Sequence, residues 1–147
     1  MRHTDFMRHI AQHVRDHLPA DMQPYAHLGE QRWLAQVYFG SDRRIHYEVS
    51  RPWSKSGRRL EIGLHLESRN KPFNREVIAC FDQQLLTIRH ALDEDVWAEP
   101  WDRGWTKLYF ACADEDLTEN HARATARRMA RFITVVQPIY EHIRAGL

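Results

Sequence analysis

Apolar side chains recur at spacings of three and four near the start of the chain, where Met7, Ile10, Ala11, Val14 and Leu18 form one stripe. That period predicts a helix from Asp5 to Leu18, stopped by Pro19. Bulky residues then crowd Trp33 to Phe39, Gly40-Ser41-Asp42 signals a turn, and Ile45, Tyr47 and Val49 alternate with His46, Glu48 and Ser50. These are two strands of a hairpin. A loop from Pro52 to Gly57 precedes the clearest strand, in which Leu60, Ile62, Leu64 and Leu66 alternate with Glu61, Gly63, His65 and Glu67. A period of two with one apolar side implies an antiparallel sheet covered on one face only.

Helical spacing returns after Pro72, which opens a predicted helix of about five turns carrying Phe73, Val77, Phe81, Leu85, Ile88 and Leu92. Strands from Val96 to Trp101 and from Trp105 to Ala113 flank the turn trio Asp102-Arg103-Gly104. In the last third, Ala122, Ala126, Met129, Ile133, Val136, Tyr140, Ile143 and Leu147 alternate spacings of four and three. One long helix follows, with Asp116 as its cap, Glu119 three residues on, and Gly146 at its end. Pro138 lies inside it, removes a backbone donor and crowds the carbonyl of Thr134, so a kink or break is expected there. The fold class is therefore α+β: helix, three strands, helix, two strands, helix, in a single domain over residues 1–147. Its sheet is mostly antiparallel, with the helices on one face.

That element order resembles the type III secretion chaperone-like fold. The resemblance implies a small dimeric protein that binds a partner polypeptide and catalyses nothing. The segments Tyr47-Glu48-Val49, Gly63-Leu64-His65-Leu66 and Trp101-Asp102-Arg103-Gly104-Trp105, in this order, are also similar to uncharacterised bacterial domains, which implies no particular activity.

The 147 residues include 21 Lys and Arg against 20 Asp and Glu, so no overall basic excess drives binding to nucleic acid or membranes. Charge is nonetheless segregated. Residues 41–75 carry nine basic against four acidic side chains, residues 76–120 three against eleven, and residues 121–147 five against one. Such blocks either pair inside the fold or steer a partner. No stretch reaches the ~20 apolar residues of a transmembrane helix, and the opening MRHTDFMRHIAQHV lacks the apolar region of a signal peptide. Cys80 and Cys112 stand in no metal-binding or redox spacing and read as small buried hydrophobes, which points to a reducing, cytoplasmic setting.

Four groups of residues are candidates for chemistry. His9, His13 and His17, with Asp5 one turn earlier, form a ladder of imidazoles on a predicted helix face that suits Zn²⁺ or Ni²⁺, against the plainer reading as boundary histidines. His46, Glu48, Glu61, His65 and Glu67 share the polar side of the predicted sheet. One register sets Glu48 beside Glu61 and would raise a carboxylate for acid-base work; the next sets His46 beside His65 and Arg44 beside Glu67, a plain surface with an ion pair. Ser50, Ser54 and Ser56 have no nucleophile-elbow context. Arg123, Arg127, Arg128 and Arg131 form a stripe suited to nucleic-acid phosphates, or else a solvated helix face.

The fourth group is aromatic. Trp53, Trp97, Trp101 and Trp105, with Trp33 as a possible addition, offer indoles of the kind that cluster at binding hot spots. The expected function is a cofactor-free, non-catalytic protein-binding module, adaptor or chaperone-like, working as a homodimer away from membranes. A nucleic-acid accessory protein and a small hydrolase or metal enzyme are the alternatives.

Overall fold

Each helix and strand has one apolar side, and the chain folds by setting these sides against one another. The computed structural model describes residues 1–29, 31–55 and 57–147, so Ser56 lies outside the described residues. In chain order the elements are α1 (His3–His13), β1 (His27–Leu28), β2 (Ala35–Tyr38), β3 (Ile45–Ser50), β4 (Trp53–Ser54) and β5 (Gly57–Leu66). They continue with α2 (Lys71–Asp82), α3 (Leu85–Leu92), β6 (Trp97–Asp102), β7 (Trp105–Ala113) and α4 (Glu119–Ala145). Among the described residues the strands form one antiparallel sheet in the order β1-β2-β3-β5-β7-β6, with β4 paired to the start of β5. The class is α+β, as expected.

The order differs from expectation where the periodic signal was too short or too smooth. β1 and β4 have two residues each, fewer than an alternation needs to show itself. The expected first helix ends at His13, and Val14–His17 winds as a 3₁₀ turn that still buries Val14 and Leu18. The expected five-turn helix is two helices. Gln84, at φ −112° and ψ 9°, leaves the helical region and donates to Phe81 O at 2.9 Å. The interruption lets α2 pack on β6 and β7 while α3 turns to α4, so Phe81, Ile88 and Leu92 all stay buried. The cap of α4 is Thr118, whose hydroxyl accepts from the His121 N–H at 3.1 Å, not Asp116. The helix closes on Gly146, and Leu147 is exposed.

Leu60, Ile62, Leu64 and Leu66 of β5 are all sealed, at 1% exposure or less, in a core shared with Phe6, Met7 and Ile10 of α1 and Phe132, Ile133 and Val136 of α4. Removing each such side chain from water stabilises the fold by roughly 1.5–3 kcal/mol. The β6–β7 hairpin turns in two residues, Arg103 at φ 52° and Gly104 at φ 82°. Two positive φ values match the right-handed twist of the strands, and glycine carries the second without strain.

α4 runs through Pro138 without the expected break. The missing N–H still leaves Thr134 O without its helical donor, and the proline ring is on the exposed side. Pro138→Ala should therefore raise unfolding free energy by about 1–3 kcal/mol. Urea denaturation followed by circular dichroism measures this, and a loss of stability would show that the ring makes a packing contact worth more than the bond.

Candidate functional site

Two central strands position the most unusual polar group of the fold. β3 and β5 pair so that His46 lies opposite His65 and Glu48 opposite Gly63, which excludes the register that sets Glu48 beside Glu61. The expected plain surface is not what results. His46, Glu48, Glu61 and His65 are only 5%, 8%, 4% and 6% exposed, so β5 is buried on both faces, one dry and apolar, the other packed with polar side chains. Arg44 makes no expected ion pair with Glu67; its backbone carbonyl accepts the Glu67 N–H at 2.9 Å, and the Glu67 carboxylate turns to His65 instead.

The imidazoles of His46 and His65 stack at 5.5 Å with 14° between their planes, and Glu48 lies against both. His46 Nε2 donates to Glu48 Oε1 at 3.1 Å, and His65 Nε2 is 3.5 Å from Glu48 Oε2. The far nitrogens are held as well. His46 Nδ1 donates to the Arg43 carbonyl at 2.9 Å and His65 Nδ1 to Glu67 Oε2 at 2.9 Å. The Gln36 amide, brought opposite Glu48 by the β2–β3 pairing, donates to Glu48 Oε1 at 3.1 Å and lies 3.3 Å from His46 Nε2. Trp101 covers His65 edge to face at 5.8 Å.

Burial by itself lowers the pKa of the His46 imidazole. The hydrogen bond and charge of Glu48, the charge of Glu67 and the Arg43 carbonyl outweigh it and carry His46 above its ordinary value. Glu48 mirrors this: burial pushes it up, and the bond to His46, the charges of His65 and His46 and the Gln36 amide hold it below the usual carboxylate value. Both ring nitrogens of His46 face acceptor oxygens, which favours the imidazolium on geometry alone.

A second network fills the neighbouring part of the same face. Glu61 accepts from Lys107 Nζ at 3.1 Å and from Arg59, while Tyr109 Oη donates to Glu99 Oε1 at 2.8 Å. Gly63 sits between the networks because the Tyr109 side chain crosses it. Gln36, Tyr109, Glu99 and Lys107 were not legible as site residues, since only the strand order makes them neighbours.

The other sequence candidates disperse. The metal ladder is interrupted: His9 and His13 lie side by side at 4.3 Å between rings, but His17 stands past the end of α1 in the 3₁₀ turn, out of helical register. Among the described residues the set that brings three ligand atoms within 4.8 Å of one another is His46, His65 and Glu67. In the arginine stripe, Arg123 pairs with Glu119 at 3.0 Å, Arg128 with Glu94 at 2.5 Å, and Arg131 donates to Ala91 O at 3.1 Å. The segregated charge blocks thus pair partly within the fold, as Arg51 with Asp114 at 2.6 Å also shows. Ser54 donates to Gly57 O at 2.7 Å in the β4–β5 turn. Cys80 and Cys112 are free and half-buried, and burial pushes the Cys112 thiol up.

Trp101 and Trp105 lie 5.4 Å apart at the turn end of the β6–β7 hairpin, and Trp97 stands four residues before Trp101 on the same edge strand. Arg89 covers Trp97 at 4.8 Å and Lys107 reaches Trp101 at 5.7 Å. Trp53 does not join them: it stands on β4 at the opposite end of β5 under Arg58. Trp33 is held near α1 by His3, whose Nε2 bonds the Trp33 carbonyl at 2.8 Å. A pocket of about 470 Å³ opens elsewhere, between the β2–β3 turn and the last turns of α4, where Tyr47 Oη donates to Gln137 Oε1 at 2.8 Å. No helix among the described residues is long and apolar enough to cross a membrane. No protein-family model, curated protein or solved structure matches the chain.

Proposed function

We propose that this protein acts by binding a polypeptide rather than by catalysis, through the indole strip of Trp97, Trp101 and Trp105. The observation that carries this reading is the exposure of Trp97 and Trp101, 50% and 43%, on an edge strand whose inner neighbours on the same face are buried. Indoles left half in water on a rigid strand lose little entropy on docking and gain area when covered. Pro100 has no N–H, and the β6–β7 register shifts between Pro100 and Asp102, so the edge is poorly suited to adding a strand. Side chains, not backbone, would make the contact.

A second copy of the chain is the partner this strip fits first. Strips of two copies facing across a two-fold axis place four half-exposed indoles against one another, the self-complementary pattern of a symmetric dimer. It is also the arrangement that the resemblance to secretion chaperones implied. Two free thiols fit the reducing compartment read from the sequence. The nucleic-acid reading has less support, because Arg128 is paired with Glu94 and the exposed Arg123 and Arg131 each have an intramolecular acceptor at the surface.

Light scattering of the purified chain should give twice the chain mass. Trp97→Ala with Trp101→Ala should return it to a single chain with an unchanged far-ultraviolet circular dichroism spectrum. A wild-type protein that stays monomeric at high micromolar concentration, or a double variant that still dimerises, overturns the assignment.

A further inference from the structure

Two imidazoles and two carboxylates meet in the middle of the outer sheet face, shielded by Gln36 and Trp101. With neutral imidazoles the set carries two negative charges, which one divalent cation balances as well as two protons do. We propose that His46 and His65, with the Glu48 and Glu67 carboxylates, form a binding site for a divalent transition-metal cation of the zinc class, with the Arg43 carbonyl orienting His46. The site shares Trp101 with the indole strip as a cover over His65, but none of its ligand side chains belongs to the strip.

Three observations carry it. First, His46, His65 and Glu67 each bring one ligand atom within 4.8 Å of the others, and Glu48 lies against both imidazoles, its Oε1 3.1 Å from His46 Nε2 and its Oε2 3.5 Å from His65 Nε2. Second, each imidazole's other nitrogen is held by an oxygen acceptor, the Arg43 carbonyl for His46 and the Glu67 carboxylate for His65, both at 2.9 Å. Metal-ligating histidines are held in this way, because the bond at Nδ1 sets the tautomer and turns Nε2 to the metal. Third, the two imidazoles come from directly paired positions of two central strands, so the backbone holds them without any loop having to order. The rings stack 5.5 Å apart, so they must tilt together to share one ion. Two imidazoles and a carboxylate suit Zn²⁺, Ni²⁺ or Co²⁺ over Mg²⁺ or Ca²⁺, which take oxygen ligands.

The test is a titration of chelator-treated, full-length protein with Co²⁺ and then Zn²⁺. One equivalent should bind, with the visible absorption of a tetrahedral Co²⁺ site that Zn²⁺ bleaches. In the unaltered chain, the imidazole resonances of His46 and His65 should shift on Zn²⁺ addition while those of His9 and His13 stay. His46→Ala with His65→Ala should abolish binding, and Glu67→Gln should weaken it about 10–100-fold through the orientation of His65. His9→Ala with His13→Ala should leave it unchanged. No binding at millimolar metal, or binding lost only in the His9/His13 variant, overturns the proposal. The resonance measurement needs no substitution, so a variant that fails to fold does not leave the outcome open.

Discussion

Glu48→Leu should lower unfolding free energy by about 3–5 kcal/mol in chelator-treated protein, the cost of leaving buried partners of an ion pair uncompensated. Three groups lose their acceptor at once: His46 Nε2 at 3.1 Å, the Gln36 amide at 3.1 Å and His65 Nε2 at 3.5 Å. Neither imidazole can turn to water, because both histidines are under one-tenth exposed. The loss should also depend on pH. His46 is raised above its ordinary 6.5, so its share is full below that value and fades as pH rises through the higher folded value. Glu48 is held below its ordinary 4.5, so its share is full above that value and fades as pH falls through the lower folded one. The pair is therefore strongest between 4.5 and 6.5. Urea denaturation should show a larger gap between wild type and Glu48→Leu at about pH 5.5 than at about pH 8.5. A gap that is equal at both pH values would mean that the network contributes packing alone. Replacing His46, Glu48 and His65 together by apolar residues of similar volume should cost far less than Glu48→Leu, since no unpaired charge remains.

Gly63→Ala should cost about 3 kcal/mol or more, at the upper end of overpacking effects. A Cβ there would lie 2.6 Å from Tyr109 Cβ and 2.7 Å from the Leu108 carbonyl oxygen. Neither is the movable end of a flexible side chain. Relief requires β5 and β7 to separate, and that ladder joins Arg59–Leu66 to Thr106–Ala113 in the centre of the sheet. The melting temperature should fall by roughly 6–12 °C. Gly40 is the control, since nothing lies within 4 Å of a Cβ built there, and Gly40→Ala should leave the melting temperature nearly unchanged. Equal effects at both positions would show that backbone entropy, not the contact with Tyr109, explains Gly63.

The outer face illustrates how far side-chain period reaches. A strand rotates its side chains by half a turn per residue, so alternation alone places His46 and Glu48 on one side of β3, and Glu61, His65 and Glu67 on one side of β5. Nothing in that alternation says whether the polar side meets water. Here it does not, because Gln36 arrives from β2, Lys107 and Tyr109 from β7 and Trp101 from β6, and their long side chains close over the histidines and glutamates. The histidine ladder is cut short for a related reason. His9, His13 and His17 form a row only while the helix continues, and packing of Val14 and Leu18 tightens the chain into a 3₁₀ turn before the row is complete.

Local chemistry was enough to determine the apolar stripes of α1, α2, α3 and α4, the buried leucines of β5, a turn within Asp102-Arg103-Gly104 and the α+β class, since each depends on residues within a few positions of one another. Tertiary structure alone decided the neighbours of each strand, the register that stacks His46 on His65, and the burial of both. Those features are set by contacts between distant segments, where the free energy of closing the sheet over a polar cluster depends on every strand that borders it.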